Sequence, residues 1–567
     1  MSAKKDQKKI ILYLFFFGVL PILRILLGYC MGISFNPEAG VDDALLARYS
    51  LLREHFQVPN TYSMVKSMSY PLFLEFVNVS HLPYQLVYAL VFFAAALLLF
   101  FFVKKVSGRV GPALLIYVWF LFLPAGFENM LSYRLYRNGL LIPMTVIVVG
   151  LSMHLMYDLL ILKEYKKKQL FESILLGLTG TFTVYIKEDG AWLLASMLFF
   201  LAVILAVFLI GLVRKKRERS ALIFVLAVCI LPGLLYGGLT AGYKKLNEHF
   251  FGVAEIETRT HGELGDFVAN VYSIHSDARS DVVWAPADAI EKAFSASPTL
   301  SSHPELKEAV WHSNFYPDLD RGELPGDYLT WLLRMGLERT GMFTSEKEVS
   351  DLFSQVNREL KAAFEDGTLE RETELFRPFS ASAGRTREET LKLVPETFRA
   401  LGNAIVLKGY EPGGRASVYD LSIEPEFTAL LAKRTHSPEI LTNEPLPRQQ
   451  AAERVIPVLF WIYRVVNVLF AAFACFLFVW NTILMIRKKE TRTGERIFRQ
   501  SAVFALFGIA LVYAFCICWF CSFMLDNRDS VLMFYTPGVP ALLAVIYSLS
   551  AAGLYEEADQ WSRGKTE

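Results

Sequence analysis

Tyr84-Gln85-Leu86-Val87-Tyr88-Ala89-Leu90-Val91-Phe92-Phe93-Ala94-Ala95-Ala96-Leu97-Leu98-Leu99-Phe100-Phe101-Phe102-Val103 is the stretch that decides the fold. It carries no charge, and Lys104 and Lys105 close it. About 20 apolar residues in helical conformation cross the hydrocarbon layer of a bilayer. Comparable runs recur at 10–32, 110–126, 139–162, 170–186, 191–213, 220–242, 455–486, 500–525 and 531–553, so the pattern predicts about ten transmembrane helices. The expected fold class is an all-α polytopic membrane protein.

Composition supports this reading. Of 567 residues, 53% are hydrophobic and 45 are Phe, and the mean hydropathy is +0.35. That is too apolar for a soluble chain of this length. The net charge of +1 conceals short basic blocks between apolar runs, a membrane-topology pattern and not a nucleic-acid face. All six cysteines (Cys30, Cys229, Cys475, Cys516, Cys518 and Cys521) fall in apolar runs. Cys516, Cys518 and Cys521 mimic metal-ligand spacing but have no histidine nearby, so they read as small apolar side chains. The run after the basic start has no small-residue cleavage site and reads as an uncleaved first span.

Lys and Arg placement orients the chain. Lys4, Lys5, Lys8 and Lys9 precede the first run, and every second connection afterwards is basic: Lys104, Lys105 and Arg109; Lys163 and Lys166 to Lys168; Arg214 to Arg217 and Arg219; Arg487 to Lys489, Arg492, Arg496 and Arg499. Both termini are then cytoplasmic. The opposite side holds few cations in its short loops: Arg48, Arg53, Lys66, Arg134, Arg137, Lys187 and Arg528. Three segments follow. Residues 1–242 form a seven-span module with a first outer loop at 33–83, residues 243–454 an extracytoplasmic and mostly helical insert, and residues 455–567 a three-span module with a cytoplasmic tail.

Within the insert, Ser345 with Glu348 reads as a capping box, opening a helix that runs to about Asp366 and stops at Gly367. Thr386 with Glu389 opens another, and Leu329, Leu332, Leu333 and Gly336 form an apolar stripe before Gly341. Val253 to Thr258 reads as a short strand. His261, His275, His303 and His312 show no metal-binding spacing and read as surface or core histidines.

The first outer loop carries the chemistry. Asp42-Asp43 precede a stretch, 44–56, with Leu45, Leu46, Tyr49, Leu52 and Phe56 at helical spacing, expected as one interfacial amphipathic helix. Lys66 and Tyr70-Pro71-Leu72-Phe73 follow. In the bland account Asp42 is a helix N-cap and Asp43 a favourable first-turn charge.

The order of these elements resembles the GT-C superfamily of multispanning glycosyltransferases, which includes protein O-mannosyltransferases and the bacterial aminoarabinose and arabinofuranosyl transferases. Those enzymes carry an acidic pair just after the first span, then a helix, then a Lys-Pro-Pro or Gly-Tyr-Pro-like stretch. The matching residues here are Val41-Asp42-Asp43-Ala44 to Tyr49, Lys66, and Ser69-Tyr70-Pro71-Leu72-Phe73-Leu74. Lys187-Glu188-Asp189-Gly190 resembles the Arg-Glu-Asp-Gly loop of related bacterial chains, and Asn527-Arg528 with Tyr535-Thr536-Pro537 resembles their Arg-Tyr…Pro stretch. Lys-Pro-Pro is absent, and the insert matches no catalytic module. The resemblance covers the seven-span half well and the remainder loosely.

The resemblance implies an inverting enzyme that moves a sugar from a polyprenyl-phosphate donor to a cell-envelope glycan, lipid or protein on the outer face of a bacterial plasma membrane. Consistently, the chain has no Gly-rich phosphate loop and no nucleotide-binding unit. A carboxylate serves as base for the acceptor hydroxyl, Asp42 first and Asp43 second, while outward cations meet the leaving phosphate: Arg134, Arg137, Lys187 and Arg528. Lys66, Tyr70, Glu188 and Asp189 are further substrate-site candidates, as are Arg24 and Arg464 inside spans, where charges are costly. Asp158 reads as a snorkelling or helix-pairing residue. No cofactor or metal ligand set is assigned, the lipid-linked sugar is the co-substrate, and a divalent metal stays open. The rival readings are an envelope-glycan polymerase or ligase, a lipid or glycan transporter, and a non-catalytic membrane scaffold.

Overall fold

The computed structural model describes residues 7, 10–313, 319–320, 322–373, 375–377, 382–414 and 419–563, with side chains to 553. Lys4, Lys5, Lys8 and Lys9 lie outside the described residues. In the first half the helices are α1 (Ile10–Met31), α2 (Asp43–Tyr49), α3 (Leu52–Gln57), α4 (Ser69–Ser80), α5 (Tyr84–Ser107), α6 (Val110–Leu121), α7 (Asn138–Tyr157), α8 (Lys167–Val184), α9 (Ala191–Val213) and α10 (Leu222–Phe251). The insert adds α11 (Gly262–Val271), α12 (Ala287–Ala296), α13 (Pro304–Trp311), α14 (Leu329–Arg339), α15 (Glu346–Glu365), α16 (Arg387–Val406) and α17 (Pro425–Thr435). Finally come α18 (Pro447–Arg487), α19 (Gly494–Phe520), α20 (Arg528–Tyr535) and α21 (Gly538–Arg563).

Among the described residues, eight helices are long and apolar enough to cross a membrane, and the bent pair α20–α21 makes a ninth if counted as one span. Ten were expected. The fifth candidate, α8, is only 18 residues long and includes Lys167, Lys168 and Glu172. The last, 531–553, is broken by 66° at Thr536-Pro537. Pro537 has no N–H to continue the ladder and disfavours helical backbone at the residue before it. Burial ranks the helices. The segment containing α7 is 94% buried in its apolar window, against 17% for α1, α10 and α18. Those outer helices show large apolar side chains to their surroundings, among them Leu234, Val465 and Trp461. Such faces need an apolar solvent.

The insert divides into two parts. Leu264, Phe267, Ile290, Leu332, Phe353 and Leu360 belong to a core of its own built by α11 to α15. Leu393, Leu401, Leu407 and Leu431, by contrast, join the core of the bundle, so α16 and α17 pack as part of the membrane module. The expected boundaries also shift: α10 continues to Phe251 and α18 begins at Pro447, both reaching into the 243–454 insert. Ser345 and Thr386 cap α15 and α16, each accepting the N–H three residues on, and Gly367 follows α15 at φ +81°. The Ser345 box is half formed, since Glu348 takes the Thr344 hydroxyl.

Val253 to Thr258 is not a strand. Among the described residues no strand pairs with it; instead the Asn247 amide donates to the Glu255 carbonyl at 2.7 Å, and Thr258 N–H donates to the Met64 carbonyl at 2.6 Å. The expected helix 44–56 is also broken, at Ser50-Leu51, into α2 and α3. A small core of Leu45, Tyr49, Val65, Met68 and Trp331 then joins the first loop to the insert.

Candidate functional site

The end of α2 sets the site. Asp42 occupies the N-cap position with φ −120° and ψ −86°, but its side chain makes no capping bond. It turns instead to Lys66, whose Nζ donates to Oδ1 at 3.0 Å, and to Tyr136, whose hydroxyl donates at 3.2 Å. The N-cap account of Asp42 therefore holds for its position and not for its side chain. Asp43 is sealed in. Its carboxylate accepts Arg134 Nε at 2.9 Å and Nη2 at 2.5 Å, with its side chain 0% exposed. Ser34 delivers Arg134 there: its N–H donates to the Tyr133 carbonyl at 2.7 Å, and its carbonyl accepts Leu135 N–H at 2.8 Å.

A second layer comes from the turn between α8 and α9. Glu188 accepts two Arg137 N–H groups, each at 2.7 Å. Lys187 pairs with Asp189 at 3.0 Å and stands 5.0 Å from the Tyr535 ring centroid. Gly190 allows this turn to close, because a Cβ there would lie 2.1 Å from the Val184 carbonyl oxygen. The insert completes the cluster. Trp331 lies over the Lys66 ammonium at 5.3 Å, and Arg259 pairs with Asp327 at 2.6 Å.

Electrostatics separates the two aspartates. Burial alone raises the Asp42 carboxyl, but Lys66, supported by Arg134 and Arg137, outweighs it and holds Asp42 well below the usual carboxylate range. At Asp43 burial wins over Arg134, and the carboxyl is pushed up to about 6. Burial also lowers the Lys66 ammonium against the pull of Asp42. Glu188 is kept low despite burial by Arg137, Lys66 and Arg259. The insert's arginine thus acts on the same group of charges as the two short loops.

Of the residues singled out in the sequence, Asp42, Asp43, Lys66, Arg134, Arg137, Lys187, Glu188 and Asp189 converge at this end of the bundle. Tyr70 is buried beside them, its hydroxyl 3.3 Å from that of Tyr84. Three do not join. Arg528 bonds Glu396 at 2.9 Å and the Cys521 carbonyl at 2.6 Å, tying α19 to α16. Arg24 is buried between the Phe92 and Phe127 rings and donates to the Gly126 carbonyl at 3.1 Å. Arg464 is exposed on α18. Asp158 pairs helices, through Lys105 and through Gln169 at 2.9 Å. Sequence reasoning missed Tyr136, Arg259, Asp327 and Trp331. Only Tyr136, lodged between Arg134 and Arg137, had a local signal. Among the described residues no three His, Cys, Asp or Glu side chains group as metal ligands.

A cavity of about 320 Å3 lies beside the cluster, lined by the ends of α8, α9 and α10 and by residues 255–257 and 261. Compared with family models, curated proteins and solved structures, the chain matches none.

Proposed function

We propose that the chain is a GT-C-type inverting glycosyltransferase of a bacterial plasma membrane, transferring a sugar from a polyprenyl-phosphate donor to an envelope acceptor on the outer face. Both termini are then cytoplasmic, and the loops that build the site lie on the base-poor side. The observation that carries the reading is Asp42. It is an accessible carboxylate, with a side chain 43% exposed, set among cations from two short loops.

In the proposed reaction the acceptor hydroxyl oxygen attacks the anomeric carbon from the face opposite the phosphate. Its proton passes to Asp42 as the new C–O bond forms. The bond to the phosphate oxygen breaks, and the phosphate leaves with the electron pair. Arg137, Arg134 and Lys66 supply the fixed positive charge that such a leaving group needs. An incoming phosphate competes with Asp42 for Lys66. Drawing Lys66 away raises the proton affinity of Asp42 at the moment it must accept a proton.

The test is release of polyprenyl phosphate from a panel of polyprenyl-phosphate sugars by the purified full chain. Asp42→Asn should lower transfer by about 10²–10⁴-fold, the usual worth of a positioned base. A wild type that transfers from no donor, or an Asp42→Asn variant that matches it, overturns the reading.

A further inference from the structure

The 320 Å3 cavity is lined by Ser67, Lys187 and Glu188 on the side of the charged cluster, and by Tyr185, Tyr236, Thr240, Glu257 and His261 elsewhere. Its ionic groups are already matched. Lys187 pairs with Asp189 at 3.0 Å, Lys244 with Glu255 at 2.9 Å, and Glu188 with Arg137 at 2.7 Å. His261 Nδ1 lies 2.6 Å from Glu257. The cavity therefore offers little net charge to an ion.

Hydrogen-bonding groups remain. Ser67 is 2% exposed and contributes its hydroxyl to the lining. Tyr185, Tyr236 and Thr240 form a hydroxyl chain, with Tyr185 Oη 2.7 Å from Thr240 Oγ1 and 3.2 Å from Tyr236 Oη. Glu257 engages one nitrogen of His261 and so orients the ring, leaving Nε2 to meet a ligand. The Tyr185 and Tyr236 rings lie 17° from parallel at 6.0 Å, giving an aromatic surface beside these hydroxyls. Hydroxyls of both donor and acceptor character next to aromatic faces suit a ring that is polar at its edge and apolar on its C–H face. The volume falls in the range of small-molecule sites, about 300–1,000 Å3.

We propose that this cavity binds an uncharged, hydroxyl-rich sugar ring. The assignment rests on the glycosyl-transfer reading and adds the place where a sugar sits: beside Ser67, whose chain neighbour Lys66 holds Asp42. The ring belongs either to the donor or to the acceptor.

Saturation-transfer NMR on the full chain in nanodiscs tests this without turnover. The probes are a panel of methyl hexopyranosides and pentofuranosides, with decyl phosphate as the anionic control. Wild type should saturate at least one glycoside. Ala191→Trp, at an exposed position lining the cavity mouth, should abolish the signal. His261→Ala should weaken binding about five-fold, as losing one hydrogen bond implies. A short-chain prenyl-phosphate hexose that displaces the glycoside assigns the cavity to the donor sugar; simultaneous binding assigns it to the acceptor. The proposal falls if no glycoside binds, if both variants bind as wild type does, or if only decyl phosphate responds to Ala191→Trp. Glycoside binding sensitive to Ala191→Trp, together with a fully active Asp42→Asn, would sink the transfer mechanism and leave the sugar site standing.

Discussion

Lys66 and Asp42 form an ion pair that is buried on one side only: Nζ and Oδ1 are 3.0 Å apart, and the lysine side chain is 4% exposed against 43% for the aspartate. The cation is buried and the aspartate side chain is partly exposed. Lys66 is the main force holding the Asp42 carboxyl down, so Lys66→Met should let it titrate at higher pH. In kcat/KM, which reports the free enzyme, the acidic limb should move up by at least about one pH unit. Lys66→Arg, which keeps the charge, should leave the limb near its wild-type position. An acidic limb unmoved by Lys66→Met would separate Asp42 from the proton transfer.

Arg334 keys the insert to the first loop. It is 0% exposed, donates to Glu346 at 2.9 Å and Thr258 Oγ1 at 2.6 Å, and also reaches the Thr61 carbonyl. Arg334→Ala would leave the Glu346 carboxylate, itself 2% exposed, buried without its counter-ion. The expected cost is ~3–5 kcal/mol, and replacing both partners by apolar residues of similar size should recover most of it. Limited proteolysis of residues 50–70 together with thermal unfolding checks this. Equal stability of Arg334→Ala and the Arg334→Met/Glu346→Leu double variant would contradict it.

Local and compositional features were legible in the sequence. The long apolar runs marked the spanning helices, and Ser345, Thr386 and Gly367 marked helix ends, because those signals act within a few residues. The α20–α21 break went unread because hydropathy averages over Pro537. Val253 to Thr258 misled because β-branched and apolar residues imply a strand only where a partner strand exists. Within the site, the sidedness of charges brought Arg134 and Arg137 beside the aspartates, yet it grouped them with Arg528, which serves α16. Sidedness sorts residues by membrane face and not by position within it. Arg259, Asp327 and Trp331 were invisible because their relation to Lys66 and Glu188 is made only by tertiary packing.

Gly190 closes the turn that carries Lys187 and Glu188. A methyl group there would collide with the Val184 carbonyl oxygen at 2.1 Å and with its Cα at 2.8 Å, both backbone atoms that cannot rotate away. Gly190→Ala should cost ~1–3 kcal/mol through overpacking. It should also disturb the Arg137–Glu188 pair, so the loss of activity should exceed that of Gly508→Ala, where no neighbour lies within reach of a Cβ and the backbone is not left-handed. Similar kinetics for the two variants would show that the turn tolerates opening.

Glu128 should make stability depend on pH. It is 0% exposed, accepts Leu131 N–H at 2.7 Å and Glu411 N–H at 3.1 Å, and is pushed up to about 8 by burial. A carboxyl raised on folding contributes its full stability below the unfolded value of 4.5 and loses it as pH climbs through 8. The thermal midpoint should therefore fall between pH 5 and 8. Glu128→Gln should flatten that slope while lowering the midpoint at pH 5, because its NH2 must face one of the two N–H donors. A wild-type midpoint that is level over this interval would exclude Glu128 as the source.

Asp42 and Asp43 are neighbours in sequence with separate expected roles. Asp43 has both oxygens engaged by Arg134 and no exposure; Arg134 itself is only 12% exposed. Asp43→Asn would remove the charge that compensates this arginine and put an amide NH2 against its N–H donors. Breaking one side of such a pair costs ~3–5 kcal/mol, so the thermal midpoint should drop markedly. Asp42→Asn keeps an oxygen for Lys66 and Tyr136 and sits at the surface of the cluster, so its midpoint should stay close to wild type. Activity should divide the other way. Asp42→Asn should lose about 10²–10⁴-fold in kcat as a positioned base is removed. Asp43→Asn, assayed below its lowered midpoint, should retain more activity than Asp42→Asn, with KM rising as Arg134 shifts. Measuring kcat, KM and midpoint on both variants decides between them. If Asp43→Asn is stable but inactive while Asp42→Asn still turns over, the base is the buried residue, and Asp42 serves only to hold Lys66.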